Sequence, residues 1–595
     1  VSDLAFDIDS LHAAYAAGVS PRAVVEIVFQ RIAAAADPGI FIHLADRDAL
    51  AREAAKLGPF DPVARPLWGI PFAVKDNIDV AGMPTTAACP AFAYRAGEDA
   101  AVVALLRQAG ALVVGKTNLD QFATGLVGVR TPYPVPRNAL DPDLVPGGSS
   151  SGSAVATARG IVSFALGTDT AGSGRIPAGL NNIVGLKPTF GALSAHGMVP
   201  ACRSIDCVSI FALTVEDAYR VYRVAARFDA RDCYSRAFAA PPLGARLPVL
   251  TVGVPARPDR RFFGDRVMER GYDAALAQLE TMGCTLKELP FGDFDAVAAL
   301  LYEGPFVAER YAAVGDFMAH EEAVHPVTRA VIEGARKFSA ADAFKGLYAL
   351  KALRAKLAPV IASVDLICVP TAPTHYSLAA VAAEPIATNS RLGTYTNFVN
   401  FLDLCGIAVP CGPLDNRPPM SVTLLAPAGQ DALVAALGRD LHASGNLPLG
   451  ATGWRYAPRA ATSAPDGTVE IAVVGAHLSG MPLNRELTEL GASFSRAART
   501  AAGYRLYALA GQSPAKPGLV RDEAGAGAIE VEVWKLAPDA FGRFVAAIPA
   551  PLCVGTVRLA DGTTPKGFLV EAAAVADATD ITAFGGWRRY TAARR

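Results

Sequence analysis

Apolar positions follow two different periods along the first two hundred residues. Ser20-Pro21 opens a stretch with Val24, Val25, Val28 and Ile32 on one face. That spacing predicts an amphipathic helix with a hydroxyl cap and a proline in its first turn. A second helical pattern covers 44–57. Gly69-Ile-Pro-Phe-Ala-Val74 is a short unbroken apolar run, read as a buried strand with Lys75 just past its end. A helix over 99–108 leads into an apolar strand at 111–114, and a short helix at 154–158 precedes a strand at 161–166. The strand–helix–strand rhythm predicts an α/β architecture with a mixed, helix-covered sheet.

The pattern breaks over 448–467, where Pro, Gly, Ala and Ser dominate and apolar periodicity fades, as in a linker. The chain therefore divides into a first domain of 1–447, a linker of 448–467 and a small β-rich domain of 468–595. Strands in the last are expected at 469–474, 504–508, 529–534 and 556–559. No internal repeat relates the two halves.

Composition narrows the function classes. Hydrophobic residues make up 52% of the 595 and charged residues 19%, the latter below the roughly 25% of average soluble chains. A chain this long and apolar buries a large core, which excludes disorder as its main state. The 55 basic and 56 acidic residues leave a net charge of −1, so no general electrostatic case exists for nucleic acid or acidic membranes as partners. No uncharged apolar run reaches the roughly 18 residues of a membrane span, and VSDLAFDIDS lacks the basic-then-apolar pattern of a secretory signal. A cytoplasmic protein is expected. The nine cysteines form no CxxC pair and read as small buried hydrophobes in a reducing compartment. The eight histidines show no metal-ligand spacing, and no motif suggests a metal or organic cofactor.

The most informative stretch is Pro146-GGSSSGSAVATARGIVSFALGTDTAGSGRIPA, two glycine-rich loops around a short helix and a strand. The second loop, Gly167-TDTAGSG174, can aim several backbone N–H groups at one point, an arrangement suited to an anion or a developing oxyanion. A phosphate loop is the rival reading, but the spacing fits neither a Walker A loop nor a dinucleotide fingerprint. For Lys75 the rival is a surface pair with Asp76 or Asp79. Tyr302 and Arg310 lie eight residues apart, with Pro305 suited to a helix's first turn. An arginine fork backed by a tyrosine hydroxyl binds a carboxylate, although such a pair is also ordinary packing beside a surface charge.

GGSSSGS followed by GTDTAGSGRIPA, with Val-Lys-Asp-Asn upstream, resembles the amidase signature family over about 115 residues. The resemblance implies a mixed sheet covered by helices and a triad of Lys75, Ser149 and Ser173. Ser173 takes the place of the nucleophile and Ser149 that of a bridging serine in a cis conformation, with Ser150 and Ser151 as neighbours that could be confused with it. It also implies an oxyanion hole of Thr170, Ala171 and Gly172, with the Ser173 N–H beside them, and an Arg175 that supports the loop through Asp169, direct binding of a substrate carboxylate being the alternative for that arginine. A serine attacks an amide only when a base takes its proton. A free lysine with pKa about 10.4 is neutral in roughly one molecule in 2,500 at pH 7, so burial must lower it.

Val473-VGAHLSGMPLN484 closes a strand with a glycine and a histidine before a tight turn. The tail resembles the γ-glutamylcyclotransferase-like fold, a small β-barrel, and the pairing of the two domains resembles the allophanate hydrolases. That resemblance implies hydrolysis of allophanate to ammonia and carbon dioxide through N-carboxycarbamate. Tyr302, Arg310 and Gly125 would hold the substrate, and His477 would assist decarboxylation. Asn484 and Arg485 are weaker candidates. The family also implies a homodimer and a functional link to a urea carboxylase, although no biotin-attachment AMKM motif occurs in these residues. Two rivals stand beside this reading. One is another amidase with a different small substrate, and the other a scaffold whose tail serves only assembly or partner binding.

Overall fold

The computed structural model describes residues 3–456, 467–524 and 527–594. These fall into two compact units: 3–238 with 251–456, and 239–250 with the remainder. The expected linker residues 457–466 lie outside the described residues.

The first unit is built on a sheet of eleven strands: β1 (Phe41–Leu44), β2 (Pro71–Lys75), β3 (Leu112–Thr117), β4 (Phe164–Asp169), β5 (Val184–Lys187), β6 (Cys207–Ala212), β7 (Leu250–Pro255), β8 (Cys284–Leu289), β9 (Leu366–Pro370), β10 (Leu404–Leu414) and β11 (Arg417–Pro427). Their order is β1-β3-β2-β4-β6-β5-β10-β11-β9-β7-β8. β2 runs parallel to both β3 and β4, whereas β4–β6 and β10–β11 are antiparallel. The sheet is therefore mixed. Strands β2 to β6 are buried at every position, which accounts for their unbroken apolar runs.

Helices form where the caps predict them. Pro21–Ala35 starts behind Ser20, whose hydroxyl accepts the Ala23 N–H at 3.2 Å. The pattern over 44–57 resolves differently: Leu44 ends β1, and the helix Arg47–Ala55 begins only after Asp46 caps it. The short apolar β1 is absorbed by the helical period that follows it, and periodicity alone does not separate the two.

In the second unit, β12 (Val469–Val473), β13 (Ser493–Arg499), β16 (Glu530–Leu536), β17 (Leu552–Thr556) and β18 (Lys566–Val570) make a five-stranded sheet in the order β13-β16-β12-β18-β17. The strands β14 (Tyr504–Ala508), β15 (Pro517–Arg521) and β19 (Thr579–Asp580) make a three-stranded one. Both sheets contribute to one core that includes Ile471, Val533, Trp534, Leu506 and Leu519. The strand expected at 556–559 lies instead at Leu552–Thr556, in antiparallel register with β18. Val557 and Leu559 are buried, but beyond the strand, so their apolar character marks the core rather than the ladder.

Two segments depart from the boundaries read in the sequence. Residues 448–456 belong to the first unit: Asn182 Nδ2 donates to the carbonyls of Pro448 and Gly450 (2.9 Å each), and Trp454 stacks on Phe6. Leu449 is buried and Trp454 and Tyr456 half-buried where composition suggests a linker. Residues 239–250 belong to the second unit, where the Ala245 N–H donates to the Phe494 carbonyl at 2.9 Å and Leu247 packs on the core. Of the nine cysteines, Cys233 and Cys553 are exposed and the other seven buried.

Candidate active site

Register brings the first chemical groups together. Val74 on β2 pairs with Leu166 on β4, so Lys75 and Thr168 emerge side by side at the carboxyl ends of two parallel strands, where open α/β sheets place their sites. Lys75 Nζ donates to Ser149 Oγ and to Thr168 Oγ1, both at 2.7 Å. It is wholly buried and has no carboxylate within ion-pair distance among the described residues. Burial disfavours the ammonium and lowers its pKa to about 7, against the pull of Asp120, Asp206 and Asp169. The surface-pair reading of Lys75 therefore fails. Asp76 pairs instead with buried Lys116 at 3.0 Å, and Asp79 accepts from Thr85 and Tyr94.

Ser149 follows a cis peptide bond from Gly148 and precedes the helix Ser151–Ala158. A Cβ at Gly148 would overlap the Asp120 carboxylate. The neighbouring serines face elsewhere: Ser150 Oγ reaches the Thr168 carbonyl, Ser151 Oγ the Asn118 carbonyl and Ser153 Oγ the Leu166 carbonyl. Ser149 alone among these four meets the lysine.

Ser173 lies buried in the loop after β4, five residues beyond Thr168. That loop is held from within. Asp169 accepts the Gly172 N–H (2.9 Å), the Gly174 N–H (3.0 Å) and a two-pronged contact from Arg175 Nε and Nη2 (2.9 Å each). Burial pushes the Asp169 carboxyl up, but the Arg175 guanidinium and these donors hold it below the usual range. Thr396 Oγ1 donates to the Ala171 carbonyl at 2.6 Å, and a Cβ at Gly172, with φ of +126°, would press on that hydroxyl.

One expectation is corrected here. The Gly172 N–H is already committed to Asp169, so it is not a free oxyanion donor. The N–H groups of Thr170, Ala171 and Ser173 make no hydrogen bond among the described residues. Which amides of a glycine loop face inward depends on a long-range carboxylate that spacing alone does not reveal.

Arg310 sits on the helix Val307–Val314 and is 2% exposed. Its Nη1 donates to Thr124 Oγ1 (3.0 Å) and the Ala123 carbonyl (3.3 Å), its Nη2 to Tyr302 Oη (3.2 Å), and its Nε has no partner. No carboxylate pairs with it among the described residues. A buried guanidinium in this state favours an incoming anion. Gly125 lies in the same stretch as Thr124, packed so that a Cβ would contact Asp120. Asp206, absent from the sequence reading, accepts from Thr170 Oγ1, Ala201 N and Cys202 N. Asp120 was equally unsignalled, since a carboxylate in a motif-free context carries no distinguishing spacing, and Thr168 lies within the Gly167–Gly174 loop without having been singled out.

In the second unit His477 is nearly buried. Its Nε2 lies 2.9 Å from Glu486 Oε2, and its ring stacks on Phe568 and meets Phe544 edge-on. Burial lowers its pKa, with Glu486 opposing. Asn484 Nδ2 donates to the His477 carbonyl at 2.8 Å, a loop-holding contact. Behind the same loop, buried Glu532 accepts from the Ser479 N–H (2.8 Å), Ser479 Oγ (2.6 Å), Trp534 Nε1 (3.2 Å) and Arg588 Nη2 (2.6 Å).

Comparison with known proteins shows that the chain belongs to the Amidase family. Residues 23–435 match the Amidase family, and residues 469–592 match the family described as Allophanate hydrolase C-terminal domain. The urea amidolyase of Saccharomyces cerevisiae is 43% identical over 544 residues, which cover 88% of this chain and 30% of that protein. The chain thus spans about a third of that relative's length. Selenomethionine-substituted Kluyveromyces lactis allophanate hydrolase superposes with a TM-score of 0.78 at 39% identity, covering 100% of both chains. The peptide amidase of Stenotrophomonas maltophilia superposes with a TM-score of 0.63 at 26% identity, covering 74% of this chain and 96% of that one.

Proposed function

Because the chain belongs to the amidase family, we propose that it is an amidohydrolase that cleaves allophanate, the carboxylate derivative of urea, and releases ammonia. The observation that carries the substrate is Arg310, a buried guanidinium with a free Nε, a tyrosine hydroxyl beside it and no carboxylate of its own. The likeness to an allophanate hydrolase over the full length of both chains supports the same reading.

In this reading Arg310 and Tyr302 hold the substrate carboxylate, with Gly125 beside them, and the terminal amide carbonyl lies at Ser173. Neutral Lys75 takes a proton from Ser149 as Ser149 takes one from Ser173, and the Ser173 oxygen attacks the carbonyl carbon. The oxyanion is met by the N–H groups of Thr170, Ala171 and Ser173, each donor of this kind being worth about 2.7–4 kcal/mol of barrier. The proton returns to the departing nitrogen, which leaves as ammonia. Water then cleaves the acyl-enzyme to N-carboxycarbamate. Loss of carbon dioxide with uptake of one proton gives carbamate, which breaks down to a second ammonia and a second carbon dioxide.

The domain of 468–595 assists that decarboxylation through His477, neutral at pH 7 and oriented by Glu486. Urea carboxylation is the source of the substrate, a link supported by relatives named urea amidolyase. A cytoplasmic homodimer completes the proposal. Size measurement in solution and cell fractionation test those two points.

The deciding experiment is ammonia release on allophanate beside malonamate, biuret and benzamide at equal concentration. A strong preference for the carboxylated substrates, with allophanate fastest, upholds the reading. Equal or better rates on biuret and benzamide keep the Lys75–Ser149–Ser173 engine and discard the carboxylate pocket.

A further inference from the structure

Between β5 and β6 the chain runs past the site as a strap, residues 199–206, that touches three parts of it. At its start the Val199 N–H donates to the Asn77 carbonyl (2.8 Å) and Asn77 Nδ2 donates to the Val199 carbonyl (3.2 Å), two residues beyond Lys75. At its end the buried Asp206 carboxylate folds back. Oδ2 accepts the N–H groups of Ala201 (2.7 Å) and Cys202 (3.0 Å), and Oδ1 accepts the Thr170 hydroxyl at 2.5 Å. Thr170 belongs to the loop that carries Ser173. In the middle, Ser204 donates its N–H (2.9 Å) and its hydroxyl (2.5 Å) to the two carboxylate oxygens of Glu309, the residue before Arg310. Asn400 adds a third tie, with Nδ2 donating to the carbonyls of both Asp169 and Ile205.

We infer that this strap is a ruler: it sets the separation between the reacting carbonyl at Ser173 and the carboxylate at Arg310, with Asp206 on the strap and Glu309 on the Arg310 helix as the positioning residues. The inference rests on the reading of Arg310 given above. Asp206 ties the strap to the loop of the nucleophile, Glu309 ties the helix of the anion-binding arginine to Ser204, and the three buried or half-buried residues 204–206 join the two ties. The oxygens of both carboxylates accept from protein donors. Charge-assisted bonds of this kind are short and directional, so the two subsites move only together. Allophanate and malonamate place one atom between amide carbonyl and carboxylate. Succinamate and N-carbamoylglycine place two, and a fixed ruler rejects them.

The test compares these four substrates in the wild-type chain and in Glu309→Ala, Glu309→Gln, Ser204→Ala and Asp206→Asn. Rates are normalised to sites titrated with a serine-reactive fluorophosphonate, which removes losses from misfolding. A displacement of about 1 Å costs on the order of 100-fold in rate. Glu309→Ala and Ser204→Ala are therefore expected to lower the preference for one-atom over two-atom substrates by about 10-fold or more, mainly through KM. Glu309→Gln, which keeps an acceptor, is expected to fall between. Asp206→Asn is expected to reduce kcat per titrated site on all four. An unchanged length preference in the Glu309 and Ser204 variants overturns the ruler. Arg310→Ala on the same substrates and benzamide separates the two readings: if it loses the preference for carboxylates while the ruler variants change nothing, only the ruler falls. If it keeps that preference, both fall.

Discussion

The two units treat buried charge in opposite ways. In the first, Lys75 and Arg310 are cations taken out of water with hydroxyls and carbonyls for company and no carboxylate. In the second, Arg588 is matched to Glu532 and Glu530. A paired buried charge is content and inert, whereas an unpaired one either sheds its proton or draws an anion. Lys75 takes the first course, with a pKa near 7, and Arg310 is left to take the second. The contrast recurs within one sheet, since Lys116 on β3, adjacent to β2, is as buried as Lys75 but carries Asp76 at 3.0 Å. Burial lowers the pKa of both lysines, and the difference on which the proposed role of Lys75 rests is that its partners are hydroxyls rather than a carboxylate.

The sharpest way to break this contrast is to remove the nucleophile the unpaired lysine serves. Ser173→Ala is expected to cut ammonia release by about 10⁴-fold or more with the circular dichroism spectrum unchanged. Turnover close to wild type would put the nucleophile elsewhere. Next comes Arg310→Ala, expected to raise KM for allophanate on the order of 100-fold while leaving benzamide hydrolysis within a few-fold. Equal losses on both would make Arg310 a packing residue like those of the second unit.

A smaller effect concerns pH. Lys75 must be neutral to act and its pKa is lowered to about 7, so kcat/KM should be on its plateau above that value and fall about tenfold per unit below it. A profile flat down to pH 5 would mean that the lysine never carries the titrating proton. The smallest change is expected from His477→Ala: the first ammonia should appear at nearly the wild-type rate, and only the later release of carbon dioxide should lag. If the first ammonia also slows, the division of labour between the units is wrong.

Much of the first site was legible because its chemistry is written in contiguous letters. Glycines bracket Ser149 and Ser173 and Lys75 ends an apolar strand, and it is the resemblance of these motifs to the amidase signature that named the three together; the structure joins Lys75 to Ser149. Arg310 was legible only as a residue type beside a tyrosine, since its burial and its lack of a partner depend on Ala123 and Thr124, nearly two hundred residues upstream. Asp206 and the commitment of the Gly172 N–H to Asp169 left no trace in local pattern, because a carboxylate chooses its donors only after the sheet has assembled. The same holds for Trp454, whose partner Phe6 comes from the other end of the unit.

Residues 239–250 belong to the second unit although the rest of that unit follows only from 467 onward among the described residues. A nascent chain therefore makes the first piece of this unit about 220 residues before the strand that opens the rest. At about 5–20 residues per second, that interval lasts on the order of 10–40 seconds. Through it Ala245 and Leu247 have no core to enter, and the Phe494 carbonyl that the Ala245 N–H will meet has not been synthesised. A chain cut after 447 stays at that waiting point permanently, so testing the units apart calls for point substitutions rather than a single truncation.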